Sequence, residues 1–154
     1  MHLIIFTLLL SWAFQVNAAS ISQERSLDFG TIAIIDNSAA YTMHMSFSGE
    51  VNADPAFLII SPGHPAEFFL SGFLPNSNLT IDILVPSETT ESTAGSGSGT
   101  SQFTISNHHS FYSTVTTDSL GEATINVGAT LTSSGSGNYQ NATFFAPMTI
   151  VVSY

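Results

Sequence analysis

The sequence predicts an all-β domain, an antiparallel two-sheet β-sandwich of roughly eight or nine strands. Three observations carry that reading. Apolar residues recur at every second position in several segments, the spacing that buries one face of a strand and wets the other. Between those segments lie turn chemistries, such as Ser61-Pro62-Gly63-His64-Pro65, Pro75-Asn76-Ser77-Asn78 and Ser134-Gly135-Ser136-Gly137-Asn138, which combine the fixed φ of Pro with the positive φ open to Gly and Asn. No segment sustains a 3.6-residue period with capping signals.

The elements follow in chain order. Leu3 to Phe14 is an apolar run ending at Val16-Asn17-Ala18-Ala19-Ser20. It is too short to span a bilayer comfortably and closes on a small-residue cleavage pattern, so residues 1–18 read as a secretory signal peptide. Residues 19–154 are then one domain, with no further apolar run of spanning length. Residues 27–35 form the first strand candidate. Leu27 and Phe29 share one face, and Gly30 resets the alternation for Ile32 and Ile34, as at a β-bulge. Next, Tyr41, Met43, Met45 and Phe47 alternate with Thr42, His44, Ser46 and Ser48. Short strands are expected at 57–61 and 67–71. Leu79, Ile81, Ile83 and Val85 then line one face of another.

Residues 88–100 break the pattern. They are Ser, Thr, Gly and Glu with almost no apolar side chain, so burial cannot offset their ordering entropy and a flexible loop is expected. Their glycines lack the lysine and the following helix of a phosphate loop. Strands follow at 102–106 and 111–117. The clearest alternation is Ile125, Val127, Ala129 and Leu131 between Thr, Asn and Gly, with Gly128 at an outward position. The last strand is expected over residues 144–154. Phe144, Ala146, Met148, Ile150, Val152 and Tyr154 lie on one face, with the Tyr154 ring inward. Pro147 lies on the other face and marks an edge or a bulge.

Charge excludes several functions. The chain has one basic residue, Arg25, against 11 acidic ones and a net charge of −10. Nucleic-acid binding needs several cations to displace phosphate counterions, and an anionic membrane surface demands the same. Neither is an expected partner. With no Cys, disulfides and thiolate chemistry are absent.

Catalytic signals are thin. The G-x-S-x-G nucleophile elbow is not found. His108 and His109 are the most suggestive pair. On a regular strand they point to opposite faces, but Ser106-Asn107-His108-His109-Ser110 reads as a turn, where both reach one side. A solvated turn is the preferred reading and an adventitious metal site the alternative. His44 reads as a polar-face residue and His64 as a turn residue. Asp28, Asp36, Glu50, Asp54, Glu67, Asp82, Asp118 and Glu122 are spread along the chain. They form neither a facing pair marked for glycoside hydrolysis nor a calcium-ligand run. Asn78-Leu79-Thr80 and Asn141-Ala142-Thr143 match the glycosylation pattern, as chance allows in a chain of this composition. No catalytic, cofactor-binding or metal residue is assigned, and a non-enzymatic role is expected.

Three stretches together carry a resemblance. Leu27-Asp28-Phe29-Gly30-Thr31 opens the domain. Phe68-Phe69-Leu70-Ser71-Gly72 and Leu79-Thr80-Ile81-Asp82-Ile83-Leu84-Val85-Pro86 occupy the middle. The stretch from Gly121 to Thr132 leads through Gly137-Asn138-Tyr139 to Met148-Thr149-Ile150-Val151-Val152-Ser153-Tyr154. This pattern resembles a secreted bacterial domain family of unknown function with an L-D-F-G-T start, a V-G-x-x-L segment and a terminal V-x-V-x-Y strand. That family is similar in layout to spore coat protein U and to chaperone–usher pilin subunits. The resemblance implies an immunoglobulin-like sandwich and a structural, pilus-like or adhesive role in the bacterial envelope or outside the cell. It implies as partners a chaperone, an usher or other surface subunits, joined by strand addition.

One departure bears on that role. A donor strand needs several alternating apolar residues, and residues 19–26 offer only Ile21. The segment is a poor donor. The favoured expectation is a self-complete sandwich in which residues 27–35 cover the edge of the C-terminal strand. An open acceptor lacking its closing strand is the alternative. The rival function is a stand-alone binding module, for example for carbohydrate, using Tyr112 or Tyr139.

Overall fold

A computed structural model of the chain describes residues 18–84, 90–91, 102–110, 113–136, 139 and 142–154, with the backbone alone at 90–91 and 108–110. The strands are β1 (Ser20–Arg25), β2 (Thr31–Ile34), β3 (Thr42–Met45), β4 (Val51–Ala53), β5 (Phe57–Ser61), β6 (Ala66–Ser71) and β7 (Asn78–Leu84). They continue with β8 (Thr90–Glu91), β9 (Phe103–Ser110), β10 (Thr114–Thr116), β11 (Ala123–Ser133), β12 (Phe144–Phe145) and β13 (Thr149–Ser153). Among the described residues there is no helix, and every strand pairing is antiparallel. The chain is all-β, with a β-sandwich architecture.

The larger sheet runs β1-β6-β11-β3-β4, with β9 also on β11. The second runs β10-β7-β13, and β2-β5 and β12-β8 are two-stranded ribbons. The predicted alternation of β11 holds: Ile125, Val127, Ala129 and Leu131 are all buried. Side chains of β6, β7 and β11 interdigitate between the two sheets in one core cluster, built on Phe68, Leu70, Leu79, Ile81 and Val127. A second cluster joins Met43, Phe57, Phe103 and Leu131, with Ile32, Ile34 and Phe144 packed against it. Burying apolar surface at about 25 cal/mol per Å² is what drives both.

β11 is long enough to serve both clusters because its neighbours share its length. Ala123 to Val127 pair with β6, and Ala129 to Thr132 pair with β3. β3 and β6 therefore lie end to end along one edge of β11, while β9 takes the other. Gly128 sits opposite the junction. A Cβ there would collide with the Met45 carbonyl oxygen and approach the Ser46 carbonyl carbon to 2.6 Å. Gly128 is thus buried at a backbone crossing, which corrects the expectation of an outward position without packing consequence.

Several expectations change. Residues 20–25 form β1 on the edge of β6, although nothing in their pattern marks a strand. All six residues but Ser22 are exposed, so backbone pairing rather than a buried face holds them. Residues 27–35 are not one strand. Gly30 adopts φ +83°, leaving an isolated Asp28–His64 bridge before it and β2 after it. The β2–β5 register shifts between Thr31 and Ile32, the irregularity anticipated at Gly30. β2 pairs with β5 and not with the C-terminal strand, so residues 27–35 do not cover that edge as expected.

His108 and His109 lie within β9 and not in a turn. β11 offers that stretch a ladder, and the irregularity is absorbed by Asn107 at φ +49° and by a register shift between Gly128 and Thr130. The expected strand 144–154 is divided into β12 and β13 by Ala146, Pro147 and Met148, yet its alternation survives, with Pro147 exposed. Tyr154 is not inward: it is 84% exposed, because the ladder with β7 ends at Ser153. Its ring instead meets Phe73 edge-on at 5.7 Å. Thr90 and Glu91 pair with β12. The rest of the loop expected over 88–100, and residues 1–17 of the expected signal, lie outside the described residues.

Candidate functional site

One feature open to recognition is a groove of about 1420 Å³. One wall is the chain from Ser26 to Ile34 and the other is the chain from Ala142 to Met148, with Phe103, Ile105 and Leu131 between them. It lies where the first and last segments of the sandwich face each other.

The first wall is held by a tight backbone crossing. Asp28 and His64 exchange two backbone hydrogen bonds, of 2.9 and 2.7 Å. Gly30 and Gly63 meet there with no room for side chains. A Cβ on Gly63 would press on the Asp28 carbonyl and on Gly30 N, the latter at 2.6 Å. The Gly30 amide also donates to Asp28 Oδ1 at 2.7 Å. This sequence-local turn explains why the chain breaks at Gly30 and re-enters as β2 facing the groove.

Within the groove, the Phe103 ring lies 5.2 Å from Tyr139 and 5.0 Å, edge-on, from Phe144. Such tilted and edge-on pairs are favourable beyond their buried area. The Tyr139 hydroxyl lies 3.1 Å from Ser134 Oγ and accepts from Gly135 N at 3.3 Å. Its ring is thus packed on Phe103 and half-buried. Gln23, Ser26 and the exposed Asp28 also line the groove, Asp28 being the one charged residue among the described lining residues.

Backbone pairing capacity is open nearby. Among the described residues β13 pairs only with β7, and β2 pairs only with β5. Ala146, Pro147 and Met148 belong to no strand and lead directly into β13. An unpaired edge beside a groove of mixed polar and apolar lining is a setting open to strand addition.

The other sequence candidates do not converge. His44 is half-buried on the polar face, 3.1 Å from Thr130 Oγ1. His64 sits at its turn. The side chains of His108 and His109 lie outside the described ones. Asp118 Oδ1 accepts the amides of Leu120 and Glu122, and Asp54 accepts from Thr42, both structural caps. Asp36 lies away from the groove. The Tyr41 hydroxyl, 2.7 Å from its carboxylate, and then Ser38 hold its pKa below the ordinary value. Among the described residues no group of three or more His, Asp or Glu is arranged to hold a metal. Asn78 Oδ1 accepts from the Thr116 hydroxyl at 2.8 Å; Asn141 and Tyr112 are outside the described residues.

A family model described as a domain of unknown function, DUF4402, matches residues 19–154. The chain belongs to the DUF4402 family. No curated protein and no solved structure matches it. For this DUF4402 domain, the likeness to spore coat protein U and to pilin subunits therefore rests on the sequence motifs alone.

Proposed function

We propose that this DUF4402 domain is a secreted bacterial structural or adhesive protein, of immunoglobulin-like layout, that accepts a β-strand from a partner in its groove. One observation carries the reading: the groove is bounded by residues 26–34 and 142–148, and among the described residues β2 and β13 are each paired on one side only. An extended peptide there gains ladder hydrogen bonds and buries alternate side chains against Phe29, Ile32, Leu131 and Phe144. Three further observations agree with this reading. The family match begins at residue 19, next to the expected signal cleavage. β1 is already engaged on β6, and residues 27–35 leave the C-terminal edge uncovered. Partners of this kind are a periplasmic chaperone, an usher or neighbouring surface subunits.

The test is to express residues 19–154 alone and measure mass and unfolding, with and without a peptide of alternating apolar residues. The acceptor reading expects a low-stability or aggregating protein that gains a cooperative transition on adding the peptide. A stable monomer indifferent to such peptides contradicts it.

A further inference from the structure

We propose that β5 is a self-association edge, through which two copies of this chain pair antiparallel about Ile59. The proposal does not depend on the groove. It starts from the run Phe57-Leu58-Ile59-Ile60, which is apolar at every position, whereas β11 alternates apolar residues with Thr, Asn and Gly. A strand apolar on both faces is expected to be covered on both. Phe57 is buried, but Leu58, Ile59 and Ile60 are 53%, 39% and 64% exposed. Ile35, whose amide donates to the Ala56 carbonyl at 2.9 Å, is 66% exposed beside them. Ile59 shares the inward parity of Phe57, so its exposure marks an open edge and not merely an outward face. Among the described residues β5 pairs with β2 alone. Its other edge therefore offers backbone donors and acceptors to a further strand. Charge on an edge strand blocks such pairing, and residues 57–61 carry none.

The occupant this edge fits is a second copy. In an antiparallel pair centred on Ile59, Leu58 of each copy lies opposite Ile60 of the other, and Ile59 meets its own counterpart. Each exposed aliphatic side chain then meets another across the junction, and one patch serves both copies, as a two-fold interface requires. The carboxylates nearest in sequence, Asp36 and Asp54, are held by Tyr41 and Thr42. Area sets the strength. Leu58, Ile59, Ile60 and Ile35 together expose the equivalent of about two whole aliphatic side chains per copy, which is short of the area of a permanent interface, above about 1,200 Å². The dimer is therefore reversible and depends on concentration. Two chains of net charge −10 also repel each other, so salt, by screening that repulsion, strengthens the dimer.

The experiment is sedimentation velocity of residues 19–154 from about 1 μM to about 1 mM, at low and high salt, with and without a peptide of alternating Val and Thr that fills the groove. The expected result is a monomer–dimer equilibrium that tightens with salt and persists with the peptide present. Leu58→Lys should abolish the dimer, and Leu58→Thr, which keeps the strand propensity, should weaken it. Neither touches the groove, since Leu58 is not among its lining residues. Leu120→Lys is the control. It makes the same charge change in a turn, at a side chain 72% exposed, and should leave the dimer intact. A monomer at every concentration and salt overturns the proposal and leaves the acceptor reading standing. A dimer that the peptide dissolves places the contact in the groove and overturns the proposal as well. So does a dimer that survives both Leu58 substitutions, or one that Leu120→Lys also abolishes.

Discussion

Gly30 and Gly63 touch backbone to backbone: a Cβ on Gly30 would lie 2.7 Å from Gly63 N, and one on Gly63 would lie 2.6 Å from Gly30 N. This crossing anchors the first wall of the groove to the turn before β6. Gly30→Ala meets both a positive φ and a backbone collision with Ser61, so it should cost about 3 kcal/mol or more. Gly49 has a similar φ of +87° but meets only Pro65 Cδ at 3.4 Å, so Gly49→Ala should cost about 1–2 kcal/mol. Denaturant melts of the two variants check the contrast.

The shared edge of β11 makes a second contrast. Leu131 is 5% exposed in the cluster beneath the groove, and Leu131→Ala should cost about 2–5 kcal/mol. Thr130 points to the polar face, where it meets His44, and Thr130→Ala should cost about 0.5–1.5 kcal/mol. Gly128→Ala should approach the loss at Leu131, because β3, which carries Met43, cannot retreat from β11 without opening the second cluster. Urea melts of the three variants rank them.

Arg25 carries the only basic side chain, yet its bridge to Glu67 is 3.5 Å long with both side chains substantially exposed. Solvent screens such a pair. Arg25→Ala should change stability by less than about 0.5 kcal/mol. Thermal melts at low and high salt should agree on that small effect.

Asp36 titrates below the ordinary carboxylate value chiefly because it accepts the Tyr41 hydroxyl, and then because of Ser38. A depressed folded-state pKa contributes stability that is present above the unfolded value and lost as pH falls through the folded one. Tyr41→Phe should therefore raise the Asp36 pKa and shrink that acid-side contribution. A carboxyl-detected NMR titration of Asp36 in both proteins measures the shift.

Strands that bury a face were legible in the sequence; strands that do not were invisible. Ile125 to Leu131 and Leu79 to Ile83 declared their inward faces by alternation, and both were found paired and packed. Residues 20–25 carried no such signal, since an edge strand with only one apolar residue is held by its backbone. Parity along 144–152 was readable, but the interruption at Ala146 to Met148 was not, because it depends on which neighbours pair with each half. The groove itself was hidden for the same reason. Its walls are more than 100 residues apart in sequence, and only the fold brings Ser26–Ile34 to face Ala142–Met148.

If an added strand pairs beside the groove, amide hydrogen exchange across Thr149–Ser153 reads that pairing. In the free domain, amides of β13 pointing away from β7 should exchange quickly, while those bonded to β7 are protected. Adding a saturating peptide of alternating apolar residues should protect the first set and leave the second unchanged. Protection of both sets in the free monomer, with no change on adding peptide, would contradict the claim.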